Sequence, residues 1–137
     1  KKYSRGKKNR FHFFGKIKKK YIPACIKYSD ICYVGFKHNK LYEYGVSANK
    51  IWDYMMSSKP IIMSIKSWND PISDAKCGIT VSSGIAKDLS KSIDYMLKKR
   101  NLSKLGANAL KYVMLNNQYP MLAEKCITIF KHQLKNL

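Results

Sequence analysis

Residues 31–63 read ICYVGFKHNKLYEYGVSANKIWDYMMSSKPIIM and contain the pattern that decides the fold. Ile31 to Phe36 is rich in β-branched and aromatic residues and carries no charge, which is typical of a strand buried on both faces. A polar loop follows, and Ser47 is placed to cap a helix that runs to about Ser58. Pro60 then opens another apolar run, Ile61 to Met63. Strand, helix and strand in this order predict a parallel βαβ unit.

The same alternation extends to both sides of this unit. Upstream, Phe11 to Phe14 is an aromatic run stopped by Gly15 and predicts a further strand, followed by a helix over Lys18 to Ser29. Downstream, the pattern predicts a loop with one helical turn over 67–76, a strand over Gly78 to Val81, and helices over 86–99, 102–116 and 120–135. The predicted fold class is therefore α/β, with a Rossmann-like parallel sheet of about four strands, flanking helices and a helical C-terminal tail.

Length and composition favour one globular domain. The chain has 137 residues, 45% of them apolar, and no run approaches the roughly 20 apolar residues that a membrane-spanning helix needs. It begins at Lys1 within a basic polar run that does not resemble a secretory signal. We therefore expect a fragment of a longer cytoplasmic protein, with residues 1–137 forming a single, partial domain.

The formal net charge of +19 is the most extreme compositional feature. It favours binding to anions, whether phosphates, nucleic acid or an acidic membrane surface. Lysine greatly outnumbers arginine, however, and asparagine, isoleucine and tyrosine are also abundant, as an AT-rich genome would produce. Composition leaves both explanations open.

Four cysteines stand far apart in the sequence: Cys25, Cys32, Cys77 and Cys126. They form no C-x-x-C pair and have no clustered histidine partner, so a zinc site is not expected. Cys25, Cys32 and Cys126 have apolar neighbours. The pattern predicts buried free thiols in a reducing compartment.

Ligands of such sheets bind outside the carboxyl ends of the strands. Three loops qualify, 15–20, 37–48 and 64–70, and the second leads directly into a helix. Gly45 permits close approach, the following amides and Lys50 could hold a diphosphate, and Asp53 could accept hydrogen bonds from a ribose. An ordinary capped helix with a solvated Asp53 and a surface Lys50 is the alternative.

The run YGVSANKIWDYMMSSKPII, residues 44–62, resembles the signature of retaining family-4 glycosyltransferases, commonly written "EAMA.GKPVI". It is most similar to the capsule and O-antigen subtype, close to "YGvSPNKlfdYMaaGKPvI". Flanking blocks fall in matching order: residues 11–15 are similar to "v.F.G", 28–34 to "aADvglvp" and 74–81 to "ea.cGi.V". The segments 86–97 and 105–113 resemble two further helices of that family.

The resemblance implies the C-terminal, donor-binding domain of a GT-B enzyme. Such an enzyme transfers a sugar from a nucleoside diphosphate, here expected to be UDP, to a lipid-linked or polysaccharide acceptor, without a metal or other cofactor. No catalytic residue is assigned. The family's donor-binding positions fall on Gly15, Lys16 and Ile17 at the nucleobase edge, on Gly45, Val46, Ser47, Asn49 and Lys50 at the diphosphate and sugar, and on Asp53 at the ribose hydroxyls.

Several departures from the family qualify these expectations. Gly45 stands where many members have a second acidic residue, and Glu43 is out of register with it. Ser58-Lys59-Pro60 lacks the family's glycine, so the helix is expected to end less abruptly. The acceptor domain and the first βαβ unit are absent, so weak UDP binding without turnover is expected.

The incomplete N-terminal side of the sheet predicts an exposed edge beside residues 31–36, covered by rearranged strand pairing or by a homo-oligomer. The missing N-terminal domain is a further expected partner, and the basic residues allow peripheral contact with an anionic membrane at its inner face. His38 lies in a loop at the rim where it could approach the donor sugar. Two rival functions remain: a nucleic-acid-binding module, opposed by the absence of a recognisable reading motif, and a non-catalytic interaction domain.

Overall fold

A computed structural model describes residues 12–98 and 101–134. Within these residues the chain alternates strands and helices and ends in three consecutive helices. Short 3-10 helices at Lys19–Tyr21 and Lys40–Tyr44 precede α1 and α2. The elements are α1 (Ile22–Lys27), β1 (Cys32–Gly35), α2 (Asn49–Met56), β2 (Ile61–Ser64), α3 (Pro71–Asp74), β3 (Gly78–Val81), α4 (Ala86–Lys98), α5 (Leu102–Asn116) and α6 (Tyr119–Leu134).

The three strands form one parallel sheet in the order β1-β2-β3. Cys32 of β1 is in register with Ile61 of β2, which is in register with Gly78 of β3. The strands predicted at 31–36, 61–63 and 78–81 are thereby confirmed, and so is the Rossmann-like α/β class. Parallel neighbours require a crossover, and α2 and α3 occupy the two connections.

The central strand β2 is buried along its whole length, whereas β1 alternates between buried and exposed residues. The prediction that β1 is buried on both faces is therefore wrong, because β1 stands at the edge of the described sheet. Side chains of one face, including Ile61 and Met63, pack in a core with Ile51 and Met55 of α2. Ala109 and Val113 of α5 belong to the same core. Each fully buried isoleucine or methionine contributes about 1.5–3 kcal/mol, so this layer of α2 and α5 dominates the packing.

The opposite face is covered by α4. Ile62 and Met96 are almost completely buried but lie outside the main core. Since alternate residues of a strand point to opposite faces, and α4 contacts β2 and β3, the sheet carries helices on both sides. The carboxyl ends of the strands remain accessible at one edge of this layered structure.

The strand predicted at 11–14 is wrong over the part that is described. Phe11 lies outside the described residues, and His12 to Phe14 have no regular structure. Phe13 is 68% exposed and Phe14 77% exposed. Aromatic residues favour strands only where a pleated neighbour packs against them and pairs with their backbone. No strand among the described residues does so, and the described sheet has three strands.

The helix predicted from Ser47 begins later than expected. Ala48 occupies the N-cap position, and no side chain caps the helix. Ser47 is therefore not the cap, because the chain is still extended at Ala48, one residue further on. The predicted helix over 18–29 is divided into the 3-10 turn Lys19–Tyr21 and α1.

The three C-terminal helices agree with prediction to within one residue at every end that is described. The last of them, α6, contains no buried residue. None of the described helices combines the length and apolar character that crossing a membrane requires.

All four cysteines are free, and the predicted burial holds for two of them. Cys32 and Cys77 are buried, as their positions in β1 and just before β3 require. Cys25 and Cys126 are exposed, which corrects the prediction. Apolar neighbours in the sequence do not imply burial at these two positions. Cys25 lies on a solvent-facing side of α1, and Cys126 lies on α6, which contains no buried residue.

Candidate functional site

The start of α2 and the end of β1 enclose a cavity of about 310 Å³. Residues 33–36 form one wall, and Ala48, Asn49 and Lys50 form the other. Since no side chain caps α2, the amide groups of its first turn have no side-chain acceptor and carry the positive end of the helix dipole. Two predicted site residues, Asn49 and Lys50, are thereby brought together at the carboxyl end of β1.

Val46 does not have the role that the sequence suggested. Its N–H donates to Oδ1 of Asn69 at 2.6 Å, and its carbonyl accepts from Nδ2 of Asn69 at 2.8 Å. Val46 is also buried. The prediction that its amide faces a diphosphate is therefore wrong, because that amide is already bonded to a side chain of the protein.

Gly45 and Ser47 flank this fixed residue. Gly45 has a φ of 138°, a backbone conformation that L-residues with a β-carbon rarely adopt. Ser47 is exposed and lies between Val46, which is hydrogen-bonded to Asn69, and the first turn of α2. The segment from Gly45 to Lys50 thus enters the helix along a path fixed at Val46.

Asp53 lies one turn beyond Asn49 on the same side of α2. It lines a second cavity of about 310 Å³, together with Met56 and Ser57 of α2 and with Lys19, Ile22, Pro23 and Ile26. Asp53 therefore borders the groove between α1 and α2 and does not line the first cavity. Apart from Asp53 and Lys19, the side chains that line this groove are uncharged, and most of them are apolar.

The predicted nucleobase contacts lie in an irregular segment. Gly15 is exposed and has a φ of 67°, with nothing near its α-carbon that a side chain would meet. Lys16 is exposed and Ile17 half-buried. None of the three lines either cavity, although Lys19 follows closely and does line the second.

A third cavity of about 310 Å³ lies where all three strands end. It is lined by His38, Asn39 and Glu43 after β1, by Ile65 and Lys66 after β2, and by Ser82 and Ser83 after β3. His38 was expected near the rim, and Lys66 lies in the candidate loop 64–70, whereas the contributions of Ser82 and Ser83 were missed. The rule that parallel strands collect their functional loops at one edge could have identified them.

The loop after β2 is fixed by hydrogen bonds to the Asp70 carboxylate. One carboxylate oxygen of Asp70 accepts from the amides of Ile72 and Ser73 at 3.1 Å, capping α3. Asp70 also accepts from the Thr80 hydroxyl at 2.9 Å and from the Ser73 hydroxyl at 2.7 Å. In addition, the Trp68 amide donates to the Glu43 carbonyl at 3.2 Å. The loop that carries Asn69 is therefore attached to β3, α3 and the segment before α2.

Within residues 12–98 and 101–134, no group of three or more histidine, cysteine or acidic side chains is arranged to hold a metal ion.

Comparison with models of protein families, with curated proteins and with solved structures finds no match to this chain. The fold and the cavities described above therefore stand on the geometry of the chain itself.

Proposed function

We propose that this chain is the donor-binding part of a GT-B glycosyltransferase that uses a nucleoside-diphosphate sugar, with UDP as the nucleotide. The single observation that carries the proposal is the cavity between β1 and the uncapped start of α2, lined by Asn49 and Lys50. These residues belong to the segment 44–62, whose sequence resembles the family-4 signature.

The first cavity suits a diphosphate by charge and by size. The first-turn amides of α2 supply donors and a partial positive charge of about half a unit, and Lys50 adds a full one. A volume of about 310 Å³ is at the lower end of the range for small-molecule sites, roughly 300–1,000 Å³. It accommodates the diphosphate and what is attached closest to it, not a complete nucleotide sugar.

The second cavity supplies the room for the nucleoside. Asp53 is four residues after Asn49, which on a helix is a separation of about 6 Å along the axis. A ribose beside the diphosphate would present its two hydroxyls to this carboxylate. The apolar walls contributed by Ile22 and Met56 suit the flat face of a nucleobase, so the nucleotide lies along α2 from its start towards Ser57.

The sugar is attached to the other end of the diphosphate, and the transfer reaction takes place there. Transfer requires stabilisation of the departing diphosphate while an acceptor hydroxyl attacks, and the α2 amides and Lys50 contribute part of that positive field. The acceptor, a lipid-linked or polysaccharide hydroxyl, is bound by a further domain. We place the reaction in the cytoplasm, at the inner face of the membrane where a lipid-linked acceptor would be anchored.

The decisive experiment is a titration of the isotope-labelled chain with UDP, following the amide resonances of residues 47–50. We expect saturable, weak binding, competition by pyrophosphate, and no response to uridine. Lys50→Ala should weaken UDP and pyrophosphate binding about tenfold, the equivalent of one charge-assisted contact. Lys87→Ala, which removes the same charge from α4, is the matched control and should have no effect.

Asp53→Asn separates nucleoside recognition from phosphate recognition. It should weaken UDP binding and leave pyrophosphate binding unchanged, since pyrophosphate has no ribose. Equal UDP affinity in the wild type, Lys50→Ala and Lys87→Ala proteins would contradict the proposal. Steeply salt-dependent binding of random oligonucleotides without any UDP response would instead support a nucleic-acid-binding module.

A further inference from the structure

The most unusual polar contact near the candidate site is the one between Asn69 and Val46. Both polar atoms of the Asn69 side chain are used, one accepting from the Val46 N–H at 2.6 Å and the other donating to the Val46 carbonyl at 2.8 Å. The side-chain amide thus pairs with the Val46 peptide groups as a neighbouring strand would, across 23 positions of sequence. Replacing it with another side chain would leave two polar groups of a buried residue without these partners.

Asn69 is itself held on a firm support. Its carbonyl accepts a hydrogen bond from the Ser67 hydroxyl. The next residue, Asp70, is bonded to the first turn of α3 and to Thr80 of β3. The backbone next to Asn69 is therefore tied to β3 and α3 through Asp70, independently of the bonds that the Asn69 side chain makes with Val46.

Gly45 lies close to the same Asn69 side chain. A β-carbon at residue 45 would lie 3.1 Å from Oδ1 of Asn69, closer than such contacts ordinarily are. Together with the φ of 138°, this explains why residue 45 is glycine. The segment before α2 and the Asn69 side chain are fitted to each other.

We infer that Asn69 is a positioning residue of the diphosphate site, an inference that rests on the proposed function. By holding the Val46 peptide groups, it fixes the direction in which residues 47–50 enter α2. It also occupies the Val46 amide, so that the donors offered to the ligand are those of residues 47–50. A segment ordered before the ligand arrives loses less conformational entropy on binding, and affinity rises accordingly.

The test compares UDP and pyrophosphate affinity among three folded proteins: wild type, Asn69→Ala and Trp68→Ala. Trp68 is 86% exposed, and its replacement leaves the neighbouring backbone bonds in place. We expect Asn69→Ala to weaken both ligands about tenfold, since it forfeits a preorganised loop. Trp68→Ala should bind as the wild type does.

An amide signature distinguishes positioning from general stability. In Asn69→Ala the Val46 amide resonance should move upfield and its proton should exchange faster with solvent. The melting temperature should also fall, because two polar groups of a buried residue lose their partners, so affinities are compared at a temperature where both proteins are folded. If Asn69→Ala does not fold, Gly45→Ala serves instead, because its β-carbon would crowd Oδ1 of Asn69 at 3.1 Å and strain the backbone at a φ of 138°, which weakens the contact with Val46. We expect the same loss of affinity from that variant.

The two possible failures have different outcomes. If the wild type binds UDP and Asn69→Ala binds it equally well, the positioning role is refuted and the proposed function stands. If the wild type binds neither UDP nor pyrophosphate, the proposed function and this inference are refuted together.

Discussion

Gly106 of α5 lies directly against the peptide of Ser58, just beyond the end of α2. A β-carbon at residue 106 would overlap the carbonyl oxygen of Ser58. Residues of the two helices, Met55 on α2 and Ala109 on α5 among them, share the main core. The close approach of α2 to α5, and through it the position of α2 against the sheet, therefore depends on glycine at residue 106.

We predict that Gly106→Ala destabilises the protein by about 1–3 kcal/mol, the usual cost of overpacking. The direction of the change in stability is informative. Alanine is a better helix former than glycine by about 1 kcal/mol, so Gly→Ala at an unhindered helix position would stabilise the protein. Urea unfolding followed by circular dichroism measures the change. Ser103→Ala, an exposed substitution on the same helix, should stay within about 0.5 kcal/mol of wild type. A stabilised Gly106→Ala protein would contradict the packing described.

The end of α2 gives a second prediction. Ser58 has a φ of 55°, its amide donates to the Met55 carbonyl at 3.0 Å, and the Lys59 amide donates to the Tyr54 carbonyl at 3.1 Å. These two bonds form a Schellman motif, whose left-handed position favours glycine. The expectation that α2 ends gradually because its glycine is missing is wrong: the helix stops sharply, with Ser58 in the strained position.

Ser58→Gly should therefore stabilise the protein, by up to about 1 kcal/mol, since it removes the cost of a β-carbon in a left-handed residue. Ser57→Gly is the matched control. Residue 57 has a φ of −84°, so glycine there relieves no strain and should be neutral or destabilising. Thermal unfolding of both variants measures the difference, and a loss of stability in Ser58→Gly would show that the left-handed serine is not strained.

Most of the fold could be predicted from local pattern. Uncharged β-rich runs at 31–36 and 61–63 predict two strands, and both form, although only β2 is buried throughout. Helical spacing predicts an inner face of α2 made of Ile51, Trp52, Met55 and Met56; Ile51 and Met55 are buried there, whereas Met56 is 52% exposed.

The strand predicted at 11–14 failed for a reason that lies in tertiary structure. Phe13 and Phe14 favour a strand, but a strand also needs a neighbouring strand to pair with. Whether such a neighbour is present depends on the tertiary structure, which local propensity does not include.

The site was predicted less well than the fold. Asn49 and Lys50 lie together at the first cavity as expected, because the helix start after a parallel strand is a general feature of the fold. The bond between Asn69 and Val46 was missed because it joins segments far apart in sequence. No residue type or spacing near Val46 indicates that its amide is hydrogen-bonded to a side chain 23 positions away.

The four cysteines should divide into two classes of reactivity. Cys25 and Cys126 are exposed, whereas Cys32 and Cys77 are buried. Burial raises the pKa of Cys32 to about 11 and that of Cys77 to about 12, so both thiols lack access and thiolate character at pH 8. A disulfide reagent should label two thiols per folded chain rapidly, and all four only in denaturant. Rapid labelling of Cys32 in the folded protein would contradict this arrangement.

Stability should fall at alkaline pH through the buried thiols. Desolvation raises the pKa of Cys32 from its ordinary value of 9.0 to about 11, against an opposing effect of nearby Lys59. Above pH 9 the unfolded chain loses this proton while the folded chain retains it, so the free energy of unfolding decreases as pH rises towards 11. Cys32→Ala should make this decline shallower, and Cys25→Ala, which removes an exposed thiol, should not. Parallel declines in all three proteins would assign the effect to other groups.

The free edge of β1 gives the last prediction. Among the described residues, β1 is paired on one side only, with β2. The amides of Cys32 and Phe36 donate to Pro60 and Ser64 on that side. Since alternate residues of a strand present their amides to opposite sides, the N–H groups of Tyr33 and Gly35 point to the unpaired edge. An exposed edge of this kind is a template for another strand.

We predict that the chain self-associates through this edge at high concentration. Tyr33→Pro should restore the monomer, because proline removes a donor from the free edge and spares the bonds to β2. Tyr33→Thr is the control: it removes the half-exposed ring and keeps the N–H, so its self-association should persist. Light scattering over a concentration series distinguishes the three proteins. A wild-type mass that stays at the monomer value throughout would show that the edge does not recruit a second copy, and equal association of Tyr33→Pro and wild type would show that copies meet elsewhere.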